Sequence, residues 1–376
     1  MRPRLSVLSI LLAATLAAQP PPGPWRFAGV PQIAYGSDVG LTLGLGAYMY
    51  RVAEVNPERR DRLSLGLAYT TRGPRFIEGR WYDFGVLGSR ARMAWDARFA
   101  DDNLAPYWGE GAQLGGLPIS PGSGTPPPEF RYHDQRAFLS GLVVAPVAGP
   151  LGAFGRLRWL RIDMLAAGPL LAVERPPGVG GGDVALAEAG LVVDTRDQEV
   201  DTHRGLYVDA SLFAAPALGG PFAFSFAGGN VTFRGYLPVR PAVLAMRLMA
   251  DVKRGNVPFF ERTMYEGIEF GDGLGGSSTI RGVARYRLAG QDKLLANLEL
   301  RVDLLTLHPF DRSLEVGLAS GVDAGAAHQP GYSAVAAVGG FAGVRLVWDR
   351  AVLVRVEVGY AAQGAAATYV AFGEEF

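Results

Sequence analysis

Asn297-Leu298-Glu299-Leu300-Arg301-Val302-Asp303 decides the fold class. Its odd positions are Asn, Glu, Arg and Asp, and its even positions are Leu, Leu and Val. A period of two puts successive side chains on opposite faces, which is a strand period and not a helical one. The pattern recurs along the chain. Val352, Val354, Val356 and Val358 oppose Arg355 and Glu357. Arg90, Arg92, Ala94, Asp96 and Arg98 oppose Ala91, Met93, Trp95, Ala97 and Phe99. Leu244, Met246, Leu248 and Val252 oppose Arg247, Asp251 and Lys253, and Ala342, Val344, Leu346 and Trp348 oppose Arg345 and Asp349.

The make-up of the two faces selects the kind of sheet. One face carries charges of both signs among glycines, and the other is apolar for about ten residues, as in a transmembrane strand between lipid and a polar lumen. In lipid only a closed barrel satisfies every backbone N–H and C=O of a sheet. The expectation is therefore an all-β chain, a transmembrane antiparallel β-barrel of about sixteen strands. They are placed at 27–36, 39–51, 62–71, 75–86, 88–100, 131–145, 150–163, 184–197, 204–215, 222–236, 240–253, 292–305, 313–325, 334–348, 350–361 and 366–376. Three connections are long: Asp101 to Glu129, Met164 to Asp183 and Arg254 to Gly290. The 51 glycines, roughly twice the usual share, suit a crowded lumen wall and tight turns.

Composition removes other classes. The 36 basic and 36 acidic side chains give zero net charge, with no cationic excess to hold nucleic acid. Cysteine is absent, which removes disulfide scaffolds, thiolate catalysis and Cys-ligated metals. The four histidines, His133, His203, His308 and His328, form no Ser/His/acid constellation and no ligand cluster. No catalytic residue, metal site or cofactor is expected, and the chain is not read as an enzyme.

The two ends carry their own signals. Arg2 and Arg4 precede an apolar run, Leu5 to Leu16, and then Ala17 and Ala18, which reads as a secretory signal over 1–18. Residues 19–26 form a short Pro-rich periplasmic segment, and 27–376 form the barrel. Tyr360, Tyr369, Phe372 and the terminal Phe376 make an aromatic-rich end suited to the membrane interface.

One segment is unlike the strands: GDGLGGSSTIRGVARYRLAG, from Gly271 to Gly290, between the eleventh and twelfth expected strands. It resembles the sixth extracellular loop of the BamA/TamA-like bacterial surface antigen superfamily, with Ile280, Arg281 and Gly282 at the (V/I)-R-G-(F/Y) signature and Val283 in place of the aromatic. Other blocks agree in order and spacing. Asn297, Glu299 and Arg301 resemble the N-x-E-x-R strand, and Gly321, Val322, Asp323 and Gly325 the G-x-D strand. Asp194, Arg196, Asp197, Arg204 and Gly205 resemble a D-x-R-(D/N)…R-G hairpin, with Asp201 near its usual proline. Gly343 to Arg345 and the terminal Phe376 match the closing blocks. VPQIAYGSDVGLTLGLG, from Val30, looks like the first hairpin of members without periplasmic POTRA domains.

The resemblance implies a long sixth loop folded inward. An arginine among small residues can enter a polar lumen and offer a rigid fork to carboxylates. Asp323 falls on the lumen face, so the expected contact is Arg281 with Asp323, with Glu299 nearby; the plain alternative leaves Arg281 in solvent at a loop tip. The resemblance further implies a bacterial outer-membrane location and a role in inserting or translocating proteins. Partners would then be the bilayer, the assembly machinery through the C-terminal strand, an unfolded barrel or secreted protein as substrate, and a separate periplasmic docking chain. The alternative is a conduit for small solutes or lipid, without a protein substrate.

Overall fold

Alternation in the sequence becomes pairing in space. The computed structural model describes residues 25–37, 39–52, 60–84, 91–112, 126–199, 201–269, 271–309, 313–348, 352–362 and 366–372. Eleven strands precede the loop's own: β1 Arg26–Gly36, β2 Gly40–Val52, β3 Arg60–Thr70, β4 Arg75–Phe84, β5 Arg92–Pro106, β6 Arg131–Ala148, β7 Leu151–Ala166, β8 Gly181–Asp194, β9 Gly205–Ala215, β10 Phe226–Val239 and β11 Ala242–Gly255. The loop holds a two-strand hairpin, β12 Met264–Tyr265 and β13 Gly271–Asp272. After it come β14 Asp292–Leu307, β15 Leu314–His328, β16 Val335–Trp348, β17 Val352–Ala361 and β18 Ala366–Phe372. All but the hairpin form one closed antiparallel barrel of sixteen strands, in which β11 pairs with β14 and β18 closes on β1. Among the described residues no helix is long and apolar enough to cross a membrane.

The faces follow the parity of the sequence. Leu298 and Leu300 point outward, while Asn297, Glu299 and Arg301 are buried inside. Outside, Leu43, Leu65, Ile77, Phe99, Leu157, Leu212 and Val358 belong to an exposed apolar surface around the wall. In water such a surface is a liability; in a bilayer it is the solvated face. A closed wall with this exterior is the build of a bacterial outer-membrane protein.

Several strands differ from the expected spans. β5 continues to Pro106, β6 to Ala148 and β7 to Ala166, so part of two long connections is strand. The second connection also contains a short helix, α1 Pro169–Glu174. β8 ends at Asp194, short of expectation, because the Asp194–Gly205 block is a turn, and β10 begins at Phe226, after a tight turn bridged at Gly219↔Phe222. The expected signal at 1–18, residues 19–24 of the Pro-rich segment, and Phe376 lie outside the described residues.

The long connections collect at one end, taken as extracellular because periplasmic turns are the shorter ones in such barrels. At the seam, the described residues pair β1 with β18 at Tyr35↔Val370 and Gly36↔Tyr369, and Ser37 donates its N–H to the Thr368 carbonyl at 3.0 Å. The register gives seven pairs between β17 and β18 and eleven between β1 and β2. N–H directions alternate along a strand, so Ser37, Tyr35, Ile33 and Pro31 face β18 on this count. Pro31 has no N–H to offer there. Proline in a sheet belongs on an edge, and β1 has an edge built into a closed barrel.

Candidate functional site

The connection after β11 does not stay outside the barrel. Leu274, Ile280, Val283 and Leu288 are buried in one apolar cluster with wall residues Met249, Leu295, Ala327, Ala337 and Ala361. The wall makes room with glycine. A Cβ at Gly325 would lie 2.6 Å from Ile280 Cδ1, one at Gly339 2.2 Å from the Arg281 carbonyl oxygen, and one at Gly359 2.6 Å from the Gly282 nitrogen. Gly282 has φ 89°, and a Cβ there would meet the Tyr360–Ala361 backbone at 2.6 to 2.7 Å. Backbone lies on backbone, and no larger residue fits.

Arg281 stands at the centre, with no exposed surface. Its Nε and Nη2 donate to the two Asp323 carboxylate oxygens at 2.7 and 2.8 Å, and its backbone N–H reaches Oδ2 at 3.1 Å. Nη1 donates to Glu357 at 3.2 Å and lies 3.6 Å from Glu299. The guanidinium also sits over the Phe341 ring. Asn297 donates Nδ2 to both Asp323 Oδ1 and the Thr279 carbonyl at 2.7 Å, and accepts from Arg247 Nε at 2.9 Å. Arg301 donates to Glu299 at 2.9 Å. Thr279 closes the turn ahead of Ile280, its hydroxyl accepting from the Gly275 N–H at 2.8 Å. Ile280, Arg281, Gly282, Asp323, Glu299, Asn297 and Arg301 are thus brought together, and Arg281 is not in solvent.

The loop also carries carboxylates that sequence reading did not single out. Glu261 receives Arg158 of β7 through two hydrogen bonds at 2.8 and 2.9 Å, and Glu266 receives the same guanidinium at 3.0 Å. Lys253 of β11 donates to Glu266 at 3.1 Å and to the Glu261 carbonyl at 2.9 Å. Glu269 pairs with Arg234 of β10. Burial alone would raise the Glu266 pKa, but Arg158, Lys253 and Arg156 outweigh it and hold the carboxyl well below its ordinary range. In return, Glu188 of β8 accepts the loop's Gly267 N–H at 2.7 Å. Charges buried in this way are favourable only when each is paired and hydrogen-bonded. One signal was available: Arg156 and Arg158 repeat at period two in β7. Their loop partners lie about a hundred positions away, without periodicity.

At the periplasmic end, residues 195–199 and 201–204 of the β8–β9 turn reach strands on both sides of the barrel mouth. Arg196 pairs with Asp194 at 2.9 Å and lies over Tyr207. Asp197 accepts the backbone N–H of His203 at 3.1 Å, and Gly205 has φ 109° with the Thr195 carbonyl where a Cβ would stand. Arg204 is exposed. Asp201, at the place expected near a proline, has φ 57° and is buried against Arg345 of β16 at 2.8 Å. Glu199 reaches Arg92 of β5 at 3.2 Å, and His203 lies 3.5 Å from Asp303 of β14. The turn therefore touches three strands around the mouth. His133 and His328 each lie 3.0 Å from an aspartate, Asp101 and Asp292.

No model of a known family and no curated protein matches the sequence. Solved structures do match. A BamA from Haemophilus ducreyi lacking POTRA domains 1–3 superposes with a TM-score of 0.56 at 14% identity, over 94% of this chain and 70% of that one. CdiB from Escherichia coli superposes with a TM-score of 0.59 at 14% identity, over 94% and 63%. CdiB from Acinetobacter baumannii gives 0.50 at 10% identity, over 93% and 59%. The chain thus spans less than two thirds of either CdiB. At these identities the likeness is one of fold: the chain is a sixteen-stranded outer-membrane β-barrel of the BamA and CdiB type.

Proposed function

We propose that this barrel inserts or translocates proteins at the outer membrane, with the β1/β18 seam as the edge on which a substrate strand pairs. The seam carries the reading. Among the described residues β1 meets β18 at Tyr35↔Val370 and Gly36↔Tyr369, and parity turns Pro31 to the same side. Pro31 removes a donor from the seam side of β1, so closing the ladder completely is disfavoured there. An edge with unused backbone groups is a template for strand addition. In this reading the Arg281–Asp323–Glu357–Glu299 cluster is a clamp that keeps the loop in the lumen and the wall in shape; it is structural and performs no chemistry. A passive conduit for solutes or lipid is disfavoured by a lumen occupied by the loop and by a turn that reaches strands on both sides of its periplasmic mouth.

The test is quantitative outer-membrane proteomics of a strain depleted of the protein and complemented with wild type or Arg281→Ala. The expected result is a fall in other barrels or in one secreted partner that wild type restores and Arg281→Ala does not. An unchanged proteome would overturn the reading.

A further inference from the structure

On both sides of β9 and β10, charge marks the outer edge of the lipid-facing wall. On β7 and β8, Trp159 donates its indole N–H to Asp183 at 2.8 Å, and the exposed Arg161 and Asp163 pair at 2.9 Å. On β11 and β14, Arg254 pairs with Asp292. Tryptophan and ions at one level are how such a wall meets the headgroups. Between these strands the marking stops: from Ala210 to Phe233 the chain carries no charged side chain. The β8–β9 register pairs Ala187 with Ala214, and four residues further up it sets Leu218 level with Asp183. Leu212 and Leu218 are 76% and 64% exposed, and Ala214, Pro216, Ala223 and Ala227 are exposed beside them. The alternate residues Phe213, Ala215, Phe224 and Phe226 are buried. Strand parity therefore runs into the tip, and its outward face continues the apolar wall without a break.

The tip also satisfies its own backbone. Pro216 and Pro221 have no N–H to satisfy. The Leu218 N–H donates to the Phe222 carbonyl at 3.0 Å, the Phe222 N–H to the Gly219 carbonyl at 3.1 Å, and the Asp183 N–H to the Pro221 carbonyl at 3.0 Å. Such economy of donors matters next to hydrocarbon, where water cannot complete a hydrogen bond. In the closed order β1 to β8 make one half of eight strands and β9 to β18 the other, so the hairpin stands across the barrel from the β1/β18 seam.

We propose that the β9–β10 hairpin anchors the barrel in the outer leaflet, with Leu218 and Ala223 seated among acyl chains at the headgroup boundary. The occupant is lipid because the patch is continuous with the wall that lipid already covers and carries no charge for a partner to read. An irregular tip is not tolerated deep in hydrocarbon, so the seat is shallow, as for interfacial amphipathic segments.

The chain has no cysteine, so nitroxide labels at Leu218→Cys and, separately, at Ala223→Cys report the tip alone. The full chain is reconstituted in phosphatidylcholine–phosphatidylglycerol vesicles, and collisions with oxygen, which concentrates in lipid, are compared with collisions with a water-soluble nickel chelate. Leu157→Cys, on the outward face of β7, gives the lipid reference, and Glu129→Cys, exposed before β6, the water reference. Both tip labels should meet nickel roughly threefold less often than the Glu129→Cys label and oxygen more often, short of the Leu157→Cys values, as a shallow seat requires. Nickel collisions equal to those at Glu129→Cys would put the hairpin in water and overturn the proposal. Protection from both reagents would overturn it too, since it means cover by protein; spin–spin broadening that unlabelled chain dilutes away would then identify a second copy.

Discussion

Arg281 supplies the guanidinium that Asp323 holds in a buried pocket where Glu299 also has Arg301 and Glu357 also has Arg355. Its removal leaves Asp323 buried without its cationic partner, and breaking a buried pair costs about 3–5 kcal/mol. Arg281→Ala is expected to lower the urea midpoint of unfolding by that order and to release the loop to protease. Arg281→Lys should recover little, because an ammonium cannot engage both Asp323 oxygens as the fork does. A midpoint within error of wild type for either variant contradicts the clamp. Two glycines separate backbone strain from crowding. Gly282 and Gly331 have φ of 89° and 90°, but a Cβ at Gly331 meets nothing within 4 Å. Gly331→Ala should cost only the left-handed penalty, about 1–2 kcal/mol. Gly282→Ala should cost distinctly more and expose the loop, since its Cβ would press on the backbone of β17. Equal unfolding midpoints for the two would refute that account.

At the scale of elements, the β8–β9 turn is pH-dependent through His203. Its hydrogen bond with Asp303 is the main cause that raises its pKa from 6.5 to about 9, and the Asp201 carboxylate adds to it against partial burial. A group raised on folding stabilises the fold fully below its unfolded value and loses that contribution as pH rises through the folded one. The turn should therefore be held between pH 5 and 6 and loosen between about pH 7 and 9. A spin label at Arg204→Cys should become more mobile over that window, and His203→Gln should flatten the response; mobility that rises equally in both would discard the role of His203. This turn also shows how far the sequence could be read. Period two placed Arg345 and Asp303 on strands, and motif spacing located Asp194, Arg196 and Asp197. That Asp201 reaches Arg345 was not legible, because the partners come from a turn and a strand 144 positions apart. The loop's Arg281 and Asp323 were legible for the opposite reason: one lies in a recognisable block, and the other on a strand face whose parity is fixed. Glu261 and Glu266 carried neither mark.

For the whole molecule, the seam makes a separable claim. The chain has no cysteine, so Tyr35→Cys with Val370→Cys introduces a single pair, at partners in register across β1 and β18. If substrate strands enter there, oxidation should abolish the restoration of other outer-membrane proteins, and reduction should return it. Full restoration under oxidation would move the activity away from the seam.

The glycine seat has a consequence for the order of folding. Gly325, Gly339 and Gly359 belong to strands synthesised after the loop that rests on them, and Glu357 follows Arg281 by 76 positions. Until β15, β16 and β17 are laid down, Arg281 has none of the Asp323 and Glu357 carboxylates it will meet. Capture of the loop is therefore a late, long-range event of high contact order, coupled to closure of the wall. A chain truncated before β17 would keep many local hairpins and still leave its arginine without a complete binding place.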